Sequence, residues 1–156
     1  GSDIDLSNGL LARLPTRDAF LPIVATLLLA KQKHLKISDL FSQYPKRFTQ
    51  AGLIDNFPNR TSKKIVELLS RASSAKRLVE QAKHKFPILD DILEINATDG
   101  VRLSLKNNSI IHIRPSGNAP QLRIYSNADS QATADNIVTI GIREPDGLLR
   151  YFESLV

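Results

Sequence analysis

The stretch Arg114-Pro115-Ser116-Gly117-Asn118-Ala119-Pro120-Gln121-Leu122-Arg123 gathers several anion-binding groups into one short connection. An arginine stands at each end, and two prolines bracket a small Ser-Gly-Asn centre. Arginine stays charged and offers a planar fork that matches the oxygens of a phosphate. Ser116 adds a hydroxyl, Gly117 lets the backbone approach closely, and exposed amides in such a loop can form a concave nest. The chemistry implied is the holding of an oxyanion. The plainer reading is a surface turn with two solvated arginines, since Pro-Ser-Gly-Asn is also good turn chemistry. The residues alone leave both open.

Other reactive side chains form no comparable group. His34, His84 and His112 lie far apart with no ligand spacing, and there is no cysteine. Asp3 and Asp5 are an isolated pair, and Asp90-Asp91 reads as a solvated turn. No Asp-x-Asp-x-Asp cluster offers a magnesium site. His112 precedes the loop on the side of the strand expected for Arg114, and Tyr125 shares a face with Arg123.

The loop needs a scaffold, and the flanking sequence supplies one with period two. Ile110 to Ile113 and Leu122 to Tyr125 alternate on either side of it. Arg123 therefore points away from the Leu122 and Ile124 face. Upstream, Ile92 to Ile95 is a strand, Thr98-Asp99-Gly100 has the Asp-Gly signature of a hairpin turn, and Val101, Leu103 and Leu105 form a half-buried strand. Asn127 or Ser130 can cap a helix over 131–143, and Asp146 a last short one. Before the sheet, Ser62 starts a long helix to about Lys83. Its apolar stripe is Ile65, Leu68, Leu69, Ala72, Ala75, Leu78, Val79 and Ala82.

The first 57 residues have a different character. Asn8-Gly9 is a turn signal, Thr16 or Asp18 can cap an apolar helix reaching Lys33, and Ser38 with Asp39 starts a second. Arg47 to Ile54 reads as a strand interrupted at Gly52. The expected fold is therefore α+β: a small antiparallel sheet of about four strands with helices on one face. A helical remnant of an α/β domain precedes it. The domain boundary falls at 57/58.

Composition bounds the class. In 156 residues, 42% are hydrophobic and 24% charged, normal for a globular protein, and the net charge of +5 steers anions without choosing among them. The longest apolar run, 21–30, is broken by Pro22 and too short to span a bilayer. Absence of cysteine fits a reducing cytoplasm. Gly1-Ser2 and the lack of methionine read as a piece of a longer chain. The basic face of the 62–83 helix and its end (Lys63, Lys64, Arg71, Lys76, Arg77, Lys83 and Lys85) offers a rival reading, a small nucleic-acid-binding module. Glu67 and Glu80 dilute it, and no aromatic platform accompanies it.

Arg114, Pro115, Ser116, Gly117, Pro120 and Arg123 stand where the α-D-phosphohexomutases carry Arg-Pro-Ser-Gly-Thr-Glu-Pro and a second arginine, and the stretch closely resembles their C-terminal phosphate-binding loop. Thr98 to Arg102 looks like the family hairpin before it, and Pro15 to Ala19 with the following helix looks like the end of the third domain. The departure is Asn118-Ala119 in place of Thr-Glu. It leaves the loop more positive and looks most like the phosphomannomutases that feed GDP-mannose synthesis.

The resemblance implies an isomerase that shifts a phosphoryl group between C1 and C6 of a hexose. The reaction passes through a phosphoserine and a sugar 1,6-bisphosphate, assisted by Mg²⁺ held on aspartates. By that likeness Arg114, Ser116, Gly117, Asn118 and Arg123 bind the substrate phosphate that is not transferred, in a domain that closes over the site by hinge rotation. Neither the catalytic serine loop nor the magnesium ligands is in this sequence, so this piece alone is expected to be inactive. Its expected partners are a mannose or glucose phosphate and the upstream domains of its own chain, with no nucleic acid and no membrane. Sugar specificity and oligomeric state are not written in these residues.

Overall fold

The computed structural model describes residues 3–6, 8–13 and 19–156, which divide into two compact units at Lys46/Arg47. The helix cap expected at Thr16 or Asp18, and the Pro15 to Asp18 part of the family-like stretch, lie outside the described residues.

In the first unit, β1 (Ile4–Leu6) and β2 (Gly9–Leu11) pair antiparallel around Asn8-Gly9. Helices α1 (Phe20–Gln32) and α2 (Ile37–Ser42) follow. α1 ends in a Schellman closure: the Leu35 amide donates to Ala30 O at 2.9 Å and His34 takes φ 53°. His34 is thus a helix terminator in a place glycine usually fills. Phe20, Ile23, Leu27 and Leu28 of α1 are exposed, as is Phe41 on α2.

The second unit contains a five-stranded antiparallel sheet in the order β3-β7-β6-β5-β4. Its strands are β3 (Phe48–Ile54), β4 (Ile92–Asn96), β5 (Val101–Leu105), β6 (Ile110–Pro115) and β7 (Leu122–Ala128). The sequence indicated about four strands. The fifth is β3, which pairs with β7 along its whole length, from Phe48↔Ala128 to Ile54↔Leu122. The compact unit that holds this sheet runs from Arg47 to Val156.

Gly52 does not interrupt β3. A Cβ there would lie 2.6 Å from Val138 Cγ1, and one at Gly141 would lie 2.6 Å from Ile124 Cδ1. The two glycines let helix α5 (Gln131–Ile142) lie directly on β3 and β7. Ser130 caps α5, its Oγ accepting from the Thr133 amide at 3.1 Å.

The long helix expected over 62–83 is two helices, α3 (Asn59–Ser70) and α4 (Ala72–Lys83), separated at Arg71 with φ −85° and ψ 108°. The break has a local cause in the Ser- and Ala-rich sequence, where Ser70 Oγ donates back to Val66 O at 2.6 Å. It also resets the buried phase. Ile65 and Leu69 point inward on α3, then Ala75, Val79 and Ala82 on α4, while Ala72 is exposed. Ser62 is no cap: it is buried inside α3, donating its hydroxyl to Asn59 O, and Pro58 occupies the cap position.

Helix α6 (Leu148–Glu153) completes the layer. Val101, Leu103, Leu105, Ile111, Ile113, Leu122 and Ile124 from the sheet meet Ile65, Leu69, Val79, Ile137, Leu149 and Phe152 from the helices in one core. Asp91 is not a solvated turn residue. Both Lys83 of α4 and Lys106 after β5 hold its carboxylate, and hydrogen bonding to Lys106 first and Lys83 second lowers its pKa to about 2.

Candidate anion-binding site

The loop 116–121 joins β6 to β7 at one corner of the sheet. It is closed by the Ser116 amide donating to Gln121 O at 2.9 Å and the Gln121 amide to Ala119 O at 2.8 Å. It is anchored from outside by the Phe57 amide, which donates to Pro120 O at 2.7 Å. Phe57 is fully buried, and the Arg150 guanidinium lies 5.4 Å over its ring. Arg150 is itself fixed by Glu144 and Glu153. The loop is thus attached to the core rather than loosely hung from the strands.

Arg114 is next to last in β6 and Arg123 second in β7, and the register sets them directly opposite one another. Both project to the face the helices leave open, since Leu122, Ile124 and Ile113 are the buried alternates. Like charges facing across a ladder repel, so the pairing costs stability unless an anion offsets it.

The two arginines are restrained differently. Arg114 Nε lies 3.1 Å from Asp99 Oδ1 of the β4–β5 turn. Arg123 Nη2 donates to Gln121 Oε1 at 3.1 Å, and Gln121 Nε2 donates in turn to Asp55 Oδ1 at 2.7 Å. Arg123 Nε is buried and has no acceptor.

Of the expected loop residues, Ser116 is 9% exposed and its amide is spent in closing the loop; its Oγ accepts a long 3.4 Å contact from the Asn118 amide. Gly117 has open space where a side chain would stand, and its backbone is not in a glycine-only conformation. Its value at this place is room above the backbone. All five residues lie at the same corner. Sequence reasoning missed Asp99, Gln121 and Asp55 as the groups that orient the arginines. Asp99 was visible only as turn chemistry.

Beyond the corner the open face continues as a groove of about 300 Å³, bordered by Thr49, Ala51, Arg102, His112 and Tyr125. His112 and Tyr125 face each other across the strands with ring centroids 5.7 Å apart, and His112 Nε2 contacts Asp99 O at 2.6 Å. Tyr125 therefore supports His112 as well as flanking Arg123. No group of three or more His, Asp or Glu among the described residues could hold a metal ion.

The second unit is thus an α+β domain, a five-stranded antiparallel sheet with helices packed on it and two arginines paired across adjacent strands at one corner. Residues 61–140 match the family described as "Phosphoglucomutase/phosphomannomutase, C-terminal domain", and the chain belongs to that family. It is 41% identical over 139 residues to a "Phosphomannomutase" of Salmonella muenchen, covering 88% of this chain and 27% of that protein. It is 34% identical over 142 residues to a "Phosphomannomutase" of Sinorhizobium fredii (strain NBRC 101917 / NGR234), covering 91% and 29%. A "Probable phosphoglucosamine mutase" of Methanosphaera stadtmanae is 30% identical over 106 residues, covering 68% of this chain and 23% of that protein. The chain thus spans less than a third of the length of each of these relatives.

Proposed function

We propose that the Arg114–Arg123 loop binds the non-transferred phosphate of a hexose phosphate, as the C-terminal part of a phosphomannomutase that interconverts mannose 6-phosphate and mannose 1-phosphate. The observation that carries this reading is the buried Arg123 Nε without an acceptor, on an arginine set opposite Arg114. A buried charged donor left unpaired is costly, and a phosphate oxygen would satisfy it. Gly117 and Asn118 would contribute backbone or amide donors, and Ser116 would keep the loop in shape. The phosphomannomutase relatives favour mannose over the other hexoses.

In this reading the domain's work is positional. Gripping one end of the sugar orients the other, and closure of the intact protein would exclude water from the reacting phosphoryl group. The Mg²⁺ expected of such an enzyme supplies charge neutralisation for phosphoryl transfer. The described residues do not fit that ion, so its ligands would lie elsewhere in the intact enzyme. The first unit, with its exposed Phe20, Ile23 and Leu27, would be the end of the preceding domain. Nothing supports the nucleic-acid alternative: the helix on which it rested is broken at Arg71, which splits the basic stripe. No described helix is long and apolar enough to cross a membrane.

Titration of the ¹⁵N-labelled chain with inorganic phosphate and with mannose 6-phosphate tests the proposal. The amide signals of Gly117 and Asn118 and the Nε–H signal of Arg123 are expected to shift with both. If they stay still while signals elsewhere move, the loop is not the binding site.

A further inference from the structure

We propose that Asp99 is a displaceable internal anion, occupying Arg114 when the loop is empty and setting how tightly a phosphate is held. The inference rests on the loop reading above and concerns a residue outside the loop. The Thr98-Asp99-Gly100 turn is fixed against the strand that carries Arg114. Gly100, at φ +73°, brings its backbone so close to β6 that a Cβ would stand 2.4 Å from Ile113 O and 3.1 Å from Arg114 Cα. The Asp99 carbonyl is engaged by His112 Nε2 at 2.6 Å.

With the backbone held at both points, the Asp99 carboxylate is the part of the turn that can move. It lies 3.1 Å from Arg114 Nε, and its side chain is 61% exposed against 42% for Arg114. A carboxylate and a phosphate seek the same guanidinium donors, so the two compete for Arg114. An ion pair this open to water is weak enough to exchange.

The asymmetry between the two arginines fits this division. Arg123 is steadied by the neutral Gln121 amide and keeps its full charge for a ligand, with Nε unpaired. Arg114 is the exchangeable member. A bound phosphate would displace the Asp99 carboxylate, which then remains nearby as a repelling charge and recaptures Arg114 as the phosphate leaves. Asp99 is thus a positioning residue that acts through Arg114 and weakens the grip of the site.

The test is a set of phosphate titrations on the full chain, read at the Gly117 and Asn118 amides, for the parent, Asp99→Asn, Arg114→Ala and the double variant. Asparagine before Gly100 suits the same turn, so the hairpin persists. Asp99→Asn is expected to tighten phosphate binding about twofold to fivefold, the scale of an exposed ion pair. The same change in the Arg114→Ala background is expected to do nothing. Unchanged or weaker binding in Asp99→Asn, or an equal gain without Arg114, overturns the proposal. A parent chain whose loop amides ignore phosphate would instead overturn the loop reading, and this proposal with it.

Discussion

Gly52 of β3 lies directly beneath Val138 of α5, so close that a methyl group on the glycine would stand 2.6 Å from Val138 Cγ1 and 3.1 Å from Ile142 Cδ1. In most strands alanine improves on glycine. Here Gly52→Ala should destabilise the second unit by about 1–3 kcal/mol, the usual cost of overpacking. Urea unfolding checks it, and adding Val138→Ala should recover part of the loss by making room.

The two arginines should not tolerate lysine. A lysine ammonium is a point charge that cannot reproduce the guanidinium fork. Arg123→Lys should weaken phosphate binding about tenfold and Arg123→Ala about tenfold to a hundredfold, following the roughly 1.5–3 kcal/mol of a charged hydrogen bond. Calorimetric titration measures it, with circular dichroism to verify that the sheet is intact. Affinity retained in Arg123→Ala would remove Arg123 from the site.

Asp91 gives a pH prediction with a defined sign. Its pKa is lowered from 3.8 to about 2 by the hydrogen bonds of Lys106 and Lys83. A lowered carboxylate pKa contributes stability that is fully present above the unfolded value and lost as pH falls through the folded one. The stability difference between the parent and Asp91→Asn should therefore be flat near neutral pH and shrink between about pH 4 and pH 2. Denaturant unfolding across that range would show it. A difference that persists unchanged to pH 2 contradicts the assignment.

Arg150 supports the loop from behind. It covers Phe57 and is clamped by Glu144 and Glu153, and hydrogen bonding to Glu144 raises its pKa further above its ordinary value. Arg150→Ala should lower stability by about 1–2 kcal/mol from the lost stacking and ion pairs. It should also speed amide exchange at Phe57, whose N–H holds Pro120 O. Hydrogen exchange at that single amide separates a local loosening from a global one.

What the sequence made legible was local. Asp99-Gly100 and the alternation of 101–105 gave the hairpin, Ser130 gave the α5 cap, and the arginine spacing marked the loop corner. The partner of β3 was not legible, because Phe48 meets Ala128 across most of the unit and no periodicity records so distant a pairing. The break at Arg71 was hidden because alanines at 72 and 75 satisfy a helical stripe whether buried or exposed. Asp91 and Asp99 sat in turns, where a carboxylate reads as solvated until tertiary structure brings a cation to it. The orientation of Arg123 by Gln121 and Asp55 likewise depends on a contact between residues far apart in the chain.

The pairing of β3 with β7 has a consequence for where this protein can be cut. A chain begun at residue 58 would keep every loop residue and both arginines, yet it would strip the outer strand from β7 and bare the backbone donors and acceptors facing Leu53 and Ile54. An uncovered ladder of that kind recruits other chains. The loop corner would then border the bared edge of β7, which residues 48–54 occupy in the whole unit.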